Sequence, residues 1–303
     1  INSMDFKKGD EIVTTNLIYG SCRNALDHAT ETKGAVVKKA LIPFPVRSEN
    51  EIAESILGLI TKKTKLIFID HVTSETAMIM PVKKICVEAN RLGIDIFIDG
   101  AHAPGMIPLD ISAINPTYYT GNCHKWICAP KGTAFLYVRP DRQKSVIPPI
   151  ISNHFQEGTT PNEKLHNSFD WSGTMDYTNF ACVGKTIEYL ENKVQGGWNE
   201  IMKRNHDLAV TGRNIIAKKL HLDQYLADEL IGSMATIKLN STAVIDPSTG
   251  LDVIQMKLLD EYKIEALITT LYPTGERILR ISAALYNNEN DYELLEEALK
   301  KTV

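Results

Sequence analysis

The chain has 303 residues and carries 33 lysines and arginines against 37 aspartates and glutamates, a net charge of -4. That length buries a sizeable core in one large unit plus a smaller one, and the near balance of charge argues against nucleic acid as the main partner. The longest apolar runs, such as LIFI over 66–69, fall far short of the roughly 20 residues of a membrane span, and five cysteines without a CxxC pair suggest neither a disulfide framework nor a zinc site, so a soluble, cytoplasmic protein is expected.

Read in chain order, INSMDFKKGD resembles the end of a helix entering a Gly-Asp turn, and with Ile1 first the chain is expected to start inside a domain. Short β-branched runs over 11–15, 64–70, 94–99, 117–121 and 133–138 predict strands. Helical patterns over 49–61 and 82–92 lie between them, with Pro81 placed near a helix start. Strands alternating with helices predict an α/β fold, a mostly parallel sheet covered by helices in three layers. The Asn-, Pro- and Gly-rich stretch 152–172 reads as a long loop, and 174–220 turns strongly helical, ending in a long connecting helix. Strand-like MATIKL, EALITT and RILRIS, with helical LDVIQMKLLDEY and DYELLEEALKK, then predict a small α+β unit. The expected division is 1–205 for the large domain and 206–303 for the small one.

The chemistry concentrates in two segments. IDIFIDGAHAPG closes an apolar strand on Asp99, where open α/β sheets gather ligands beyond the carboxyl ends of strands. Taken alone, that acid reads rather as a cap of the next turn, and it is Lys125, 26 positions on, that shifts the balance. TGNCHKWICAPKGTAFLY sets Lys125 between His124 and Trp126 just after Asn122 and Cys123. A lysine and a carboxylate brought to one cleft by neighbouring strand ends are what pyridoxal phosphate chemistry requires: the amine condenses with the aldehyde and the carboxylate keeps the ring nitrogen protonated. Asn122 and His124 are suited to donate to a phosphate, while Trp126 reads as packing the loop into the core. A metal hydrolase built on His71, Asp99, His102 and His124 lacks any close HxH or HExxH spacing.

DGAH followed by YYTGNCHKWICAPKGTAFLYV resembles the class V aminotransferase group of fold-type I pyridoxal phosphate enzymes, and most closely isopenicillin N epimerase-like proteins; cysteine desulfurases and cysteine lyases belong to the same group. The resemblance covers essentially the whole chain. It implies pyridoxal 5'-phosphate held as a Schiff base at Lys125, Asp99 on the ring nitrogen, His102 near the phenolic oxygen, and Asn122 and His124 at the phosphate. TTNLIYGSCRNAL is similar to the segment whose aromatic residue stacks on the ring, which points to Tyr19. IDHVTSETAMIMPV is similar to a strand-end segment lining the site, which points to Ser74 and, more weakly, to His71, since a lone histidine is more often structural. FDWSGTMDY resembles the segment that reaches across a homodimer interface to the partner's phosphate, here Gly173 and Thr174. LRISAALYNNENDYELLEEAL resembles the small-domain segment whose arginine clamps the substrate α-carboxylate, here Arg280, a job that suits a planar bidentate fork.

Two departures stand out. The Gly/Thr-type phosphate loop expected upstream has no counterpart, as though an N-terminal part were missing, and KIEALITTLYPTGERILRIS has no cysteine where desulfurases carry their nucleophile. The expected function is therefore transformation of an amino acid at its α-carbon, epimerase-like, with a C–S lyase or an aminotransferase as alternatives and a non-catalytic binding relative as the alternative of another class.

Overall fold

The computed structural model describes residues 1–46, 48–222 and 226–302. Among them, β1 (Glu11–Thr15), β2 (Val36–Ala40), β3 (Thr64–Asp70), β4 (Asp95–Asp99), β5 (Tyr118–Asn122) and β6 (Ala134–Val138) form a six-stranded sheet in the order β2-β1-β3-β4-β5-β6. Every neighbouring pair is parallel except β5 with β6. The helices α1 (Gly20–Lys33), α2 (Glu49–Leu57), α3 (Val82–Leu92) and the short α4 (Ile111–Ile114) join these strands. Burial explains the arrangement: β1 is buried along its whole length and β3 at all but Lys65, as parallel strands covered on both faces should be.

Several elements were not legible in the sequence, β2 and α1 among them. β2, with Lys38 and Lys39 in an edge strand that keeps only Ala40 buried, lacks a hydrophobic run, and lysine-bearing edges are a usual protection against stray pairing. In α1, only Leu26 and Ala29 are buried, too few to set a helical period. The stretch expected as a loop over 152–172 contains α5 (Pro161–Phe169), started by a capping box in which Thr160 and Glu163 satisfy each other's backbone N–H groups. The N-terminal expectation is also corrected: residues 1–10 form turns rather than the end of a helix, with Asp10 accepting from the Lys7 backbone N–H.

The helical region resolves into α6 (Thr178–Lys193) and α7 (Gly197–Leu220). α7 buries Ile201, Asn205, Ala209, Gly212, Arg213 and Ile216, a stripe at helical spacing. Gly212 permits close packing, because a Cβ there would come within 2.6 Å of the Tyr292 ring. Tyr292 belongs to α9 (Glu289–Lys300), which closes the chain beside β7 (Met234–Lys238), α8 (Val253–Tyr262), β8 (Leu267–Leu271) and β9 (Glu276–Ser282). The last three strands make an antiparallel sheet in the order β7-β9-β8. α7 runs through the expected boundary at 205/206, and the expected small unit includes 223–225 and 303, which lie outside the described residues. One continuous core joins the two sheets, from Ile67 and Ile69 to Ile278 and Leu279. Among the described residues no helix is long and apolar enough to cross a membrane.

Candidate active site

The site lies where the parallel strands end. Asp70 and Asp99 close β3 and β4 and are register partners; Asp99 faces Thr120 of β5, which ends at Asn122. Chain direction alone thus carries Asp70, Asp99, Asn122 and the segment leading to Lys125 to one edge. Together with Tyr19, Ser74, His102 and His124 these residues line a cavity of about 990 Å³. α5 closes it from the side with Leu165, His166 and Phe169, so the stretch read as a loop supplies part of the wall.

Asp99 is held from two directions. Its Oδ1 accepts the Ala101 N–H at 3.0 Å, and its Oδ2 accepts the Cys22 thiol at 3.1 Å. Burial, and then the Asp99 charge, push the Cys22 thiol far above its ordinary value, so it stays protonated as a donor. Asp70 is buried, and burial followed by the Asp99 charge holds its carboxyl well above the usual range. Its Oδ2 has no hydrogen-bond partner. Sequence reasoning missed both Asp70 and Cys22. The available signal was that TKLIFID and IDIFID, two adjacent parallel strands, both end in aspartate.

Lys125 follows β5 in a tight excursion pinned at its base, where the Cys123 N–H donates to Thr133 O and the Ala129 N–H to Cys123 O, both at 3.0 Å. Gly105 makes room for it: with φ at +81°, a Cβ there would lie 2.8 Å from the Trp126 carbonyl carbon. Lys125 Nζ sits 3.1 Å from His102 Nε2, and the Trp126 indole N–H donates to His102 Nδ1 at 3.3 Å. Burial, helped by the Arg280 charge, lowers the Lys125 pKa although Asp99 and Asp70 oppose the shift. Burial first, then the charges of Lys125 and Arg280, push His102 down to about 3, so its imidazole is neutral.

Arg280 reaches the same region from β9 of the other sheet. Its Nη1 donates to the carbonyl and hydroxyl of Ser74, while its buried Nε has no partner. Burial lowers its pKa, and the Glu75 charge raises it. Gly173 and Thr174 are not part of the cavity wall: Thr174 is exposed, and no atom lies within 4 Å of where a Cβ on Gly173 would be. Tyr19 is about half exposed beside the cavity, and its backbone N–H works against the elevation of the Asp70 pKa. His124 Nδ1 lies 2.8 Å from Thr133 O and donates to it.

His71, the weaker candidate, is a core residue 2.8 Å from the Tyr119 hydroxyl. Burial pushes it down to about 4 from an ordinary 6.5. A group kept neutral in this way contributes stability that is complete above pH 6.5 and is lost as the pH falls through about 4, because the unfolded chain binds the proton first. That contribution is at most about 3 kcal/mol. Urea midpoints are accordingly expected to drop between pH 7 and 4, and His71→Gln to flatten the slope.

An amine whose pKa is lowered by burial, a pinned carboxylate, two imidazoles and a guanidinium make a donor set that fits pyridoxal phosphate together with an amino acid. Lys125 could hold the aldehyde, Asp99 the ring nitrogen, and Asn122 with His124 the phosphate. Among the described residues no three His, Cys, Asp or Glu side chains gather to hold a metal ion.

Solved structures share this architecture. A cysteine desulfurase from Thermococcus onnurineus NA1 superposes with a TM-score of 0.77 at 19% identity, covering 98% of this chain and 73% of the other. The cystine C-S lyase C-DES, in complex with its product cysteine persulfide, does so at 0.77 and 17%, covering 99% and 77%. The fold is the α/β architecture of fold-type I pyridoxal phosphate enzymes. Residues 1–295 match the family Aminotransferase class-V, and the chain belongs to this family of pyridoxal phosphate enzymes. Its relatives include a probable chloroplastic L-cysteine desulfhydrase of Arabidopsis thaliana, 31% identical over 316 residues. The match takes in 98% of this chain and 65% of that protein's length. An isopenicillin N epimerase of Amycolatopsis lactamdurans is 28% identical over 305 residues, 97% of this chain and 74% of the epimerase.

Proposed function

We propose that this protein cleaves the carbon–sulfur bond of a cysteine-type amino acid, using Lys125 as the base at the α-carbon. The carrying observation is the pairing of an available amine with an occupied thiol: among the described residues Lys125 Nζ bonds to His102, whereas Cys22, on the cavity wall, is hydrogen-bonded to Asp99. Cys123 is buried off that wall. Among the described residues the cavity wall thus offers no unengaged cysteine thiol, while β-elimination needs only a base and a leaving group. The desulfhydrase relative supports this reading.

Pyridoxal phosphate, when bound, supplies an electron sink for the pair left at the α-carbon. Lys125 Nζ removes the α-proton, and Arg280, held on Ser74 at the cavity wall, is assigned to orient the substrate carboxylate. Asp99, pinned by Ala101 and Cys22, keeps a proton on the ring nitrogen. His102 is assigned to the phenolic oxygen, Asn122 and His124 to the phosphate, Tyr19 to the ring face, and Ser74 to holding Arg280. Gly173 and Thr174 are assigned to the phosphate of a second subunit, which requires a homodimer. Supporting that, α6 has no buried residue and exposes Phe180, Ile187 and Tyr189. The proposed units are the large domain through 205 and the small one from 206, and five free thiols support a reducing compartment.

The 28%-identical epimerase keeps a second reading open, because removing and returning the α-proton needs no group beyond Lys125. Incubating the cofactor-loaded protein in deuterated water with L-cysteine and a panel of L- and D-amino acids separates the outcomes. Equal amounts of sulfide, pyruvate and ammonia are expected. Deuterium at the α-carbon with loss of chirality would replace the lyase by an epimerase, amino transfer to an added keto acid by an aminotransferase, and no turnover by a binding protein.

A further inference from the structure

The geometry points to Trp126 as a positioning residue: its indole N–H fixes His102 as the tautomer with the proton on Nε2 and turns that proton toward the Lys125 amine. An indole nitrogen only donates, so His102 Nδ1, 3.3 Å away, must be the bare acceptor. A neutral imidazole carries one N–H, which then lies on Nε2, 3.1 Å from Lys125 Nζ. An ammonium has three donors and no acceptor, so it would meet Nε2–H donor to donor, whereas the uncharged amine accepts it. Trp126 thereby biases Lys125 toward the form that attacks an aldehyde.

The bias acts within a mixed field. Asp99 and Asp70, at the ends of their strands, and Cys22 on α1 favour the ammonium, while Arg280 on β9 and burial oppose it. Trp126 is held for this task by packing against the cluster of Val72, Ala77, Met106 and Met234 and by the close approach at Gly105. Histidine neutrality, on which the argument depends, follows from its depressed pKa of about 3.

The inference concerns the amine itself and rests on the proposed site only in taking Lys125 as the attacking group. The test uses the full chain, with and without pyridoxal phosphate, labelled with ¹⁵N-histidine and with the His102 signals assigned through His102→Gln. The wild type should show the Nε2–H tautomer, and Trp126→Phe a mixture of the two. In the variant, bare Nε2 can accept from the ammonium, so the Lys125 titration midpoint should rise. Competitive acetylation with acetic anhydride, read by mass spectrometry, should find Lys125 about fivefold less reactive at pH 7, the worth of one ordinary hydrogen bond. An Nδ1–H tautomer in the wild type overturns the inference even if the variant fails to fold, as does a Trp126→Phe protein with unchanged tautomer and midpoint. Failure of pyridoxal phosphate to be captured at Lys125 would instead sink the functional reading and leave this measurement intact.

Discussion

Lys125→Ala is expected to abolish covalent capture of pyridoxal phosphate, read as loss of the borohydride-fixed label on the peptide containing residue 125, and to lower turnover by on the order of 10³- to 10⁴-fold. Two functions leave with one side chain: attachment of the aldehyde, and proton transfer at the α-carbon, itself worth about 10²- to 10⁴-fold. The fold should survive, because Lys125 is half-buried and, among the described residues, its Nζ bonds only to His102. A melting temperature close to wild type is therefore the control. Partial recovery of turnover by an added primary amine would identify the missing group as the base. Wild-type labelling in Lys125→Ala would move the attachment point elsewhere and remove the basis for the proposed site.

Asp99→Asn is expected to keep the shape of the site and lose about 10²- to 10³-fold in kcat, the scale seen when one preorganised electrostatic contact is removed. The amide still accepts from the Ala101 N–H, but it has no charge with which to keep the ring nitrogen protonated. The same substitution removes the Asp99 charge that opposes the lowered pKa of Lys125. The Lys125 midpoint should therefore fall further in Asp99→Asn, opposite to the rise expected for Trp126→Phe. Asp70 loses the second cause of its elevation and stays raised by burial, with a smaller push from the Glu75 charge. If kcat changed by less than tenfold, Asp99 would be a turn-capping residue and the electron-sink assignment would be lost.

The site was legible to the degree that it follows strand direction. Once 94–99 and 117–121 were read as neighbouring strands, Asp99 and the Asn122–Lys125 segment had to emerge near one another, and α3 appears over Val82–Leu92 as its apolar spacing predicts. Elements that depend on few buried contacts were not legible: β2 is a lysine-bearing edge, and α5 depends on its capping box and its place over the cavity. Side chains acting through others were also hidden. Cys22, 77 positions from Asp99, and Trp126, 24 positions from His102, carry no local pattern that announces a hydrogen bond.

The amino-acid sequence by itself determined the α/β class, the strand ends that present Asp99 and Lys125, and, through its motifs, the family and its cofactor. Periodicity and strand polarity are local properties, and the chain writes them directly. Only the tertiary structure decided which groups meet there: that Asp70 is a buried acid beside Asp99 with its pKa raised by burial, that Cys22 donates to Asp99, that Arg280 arrives from the second sheet to hold Ser74, and that the Trp126 indole meets His102. Charge state and tautomer depend on burial and on partners distant in sequence, and packing alone brings those together.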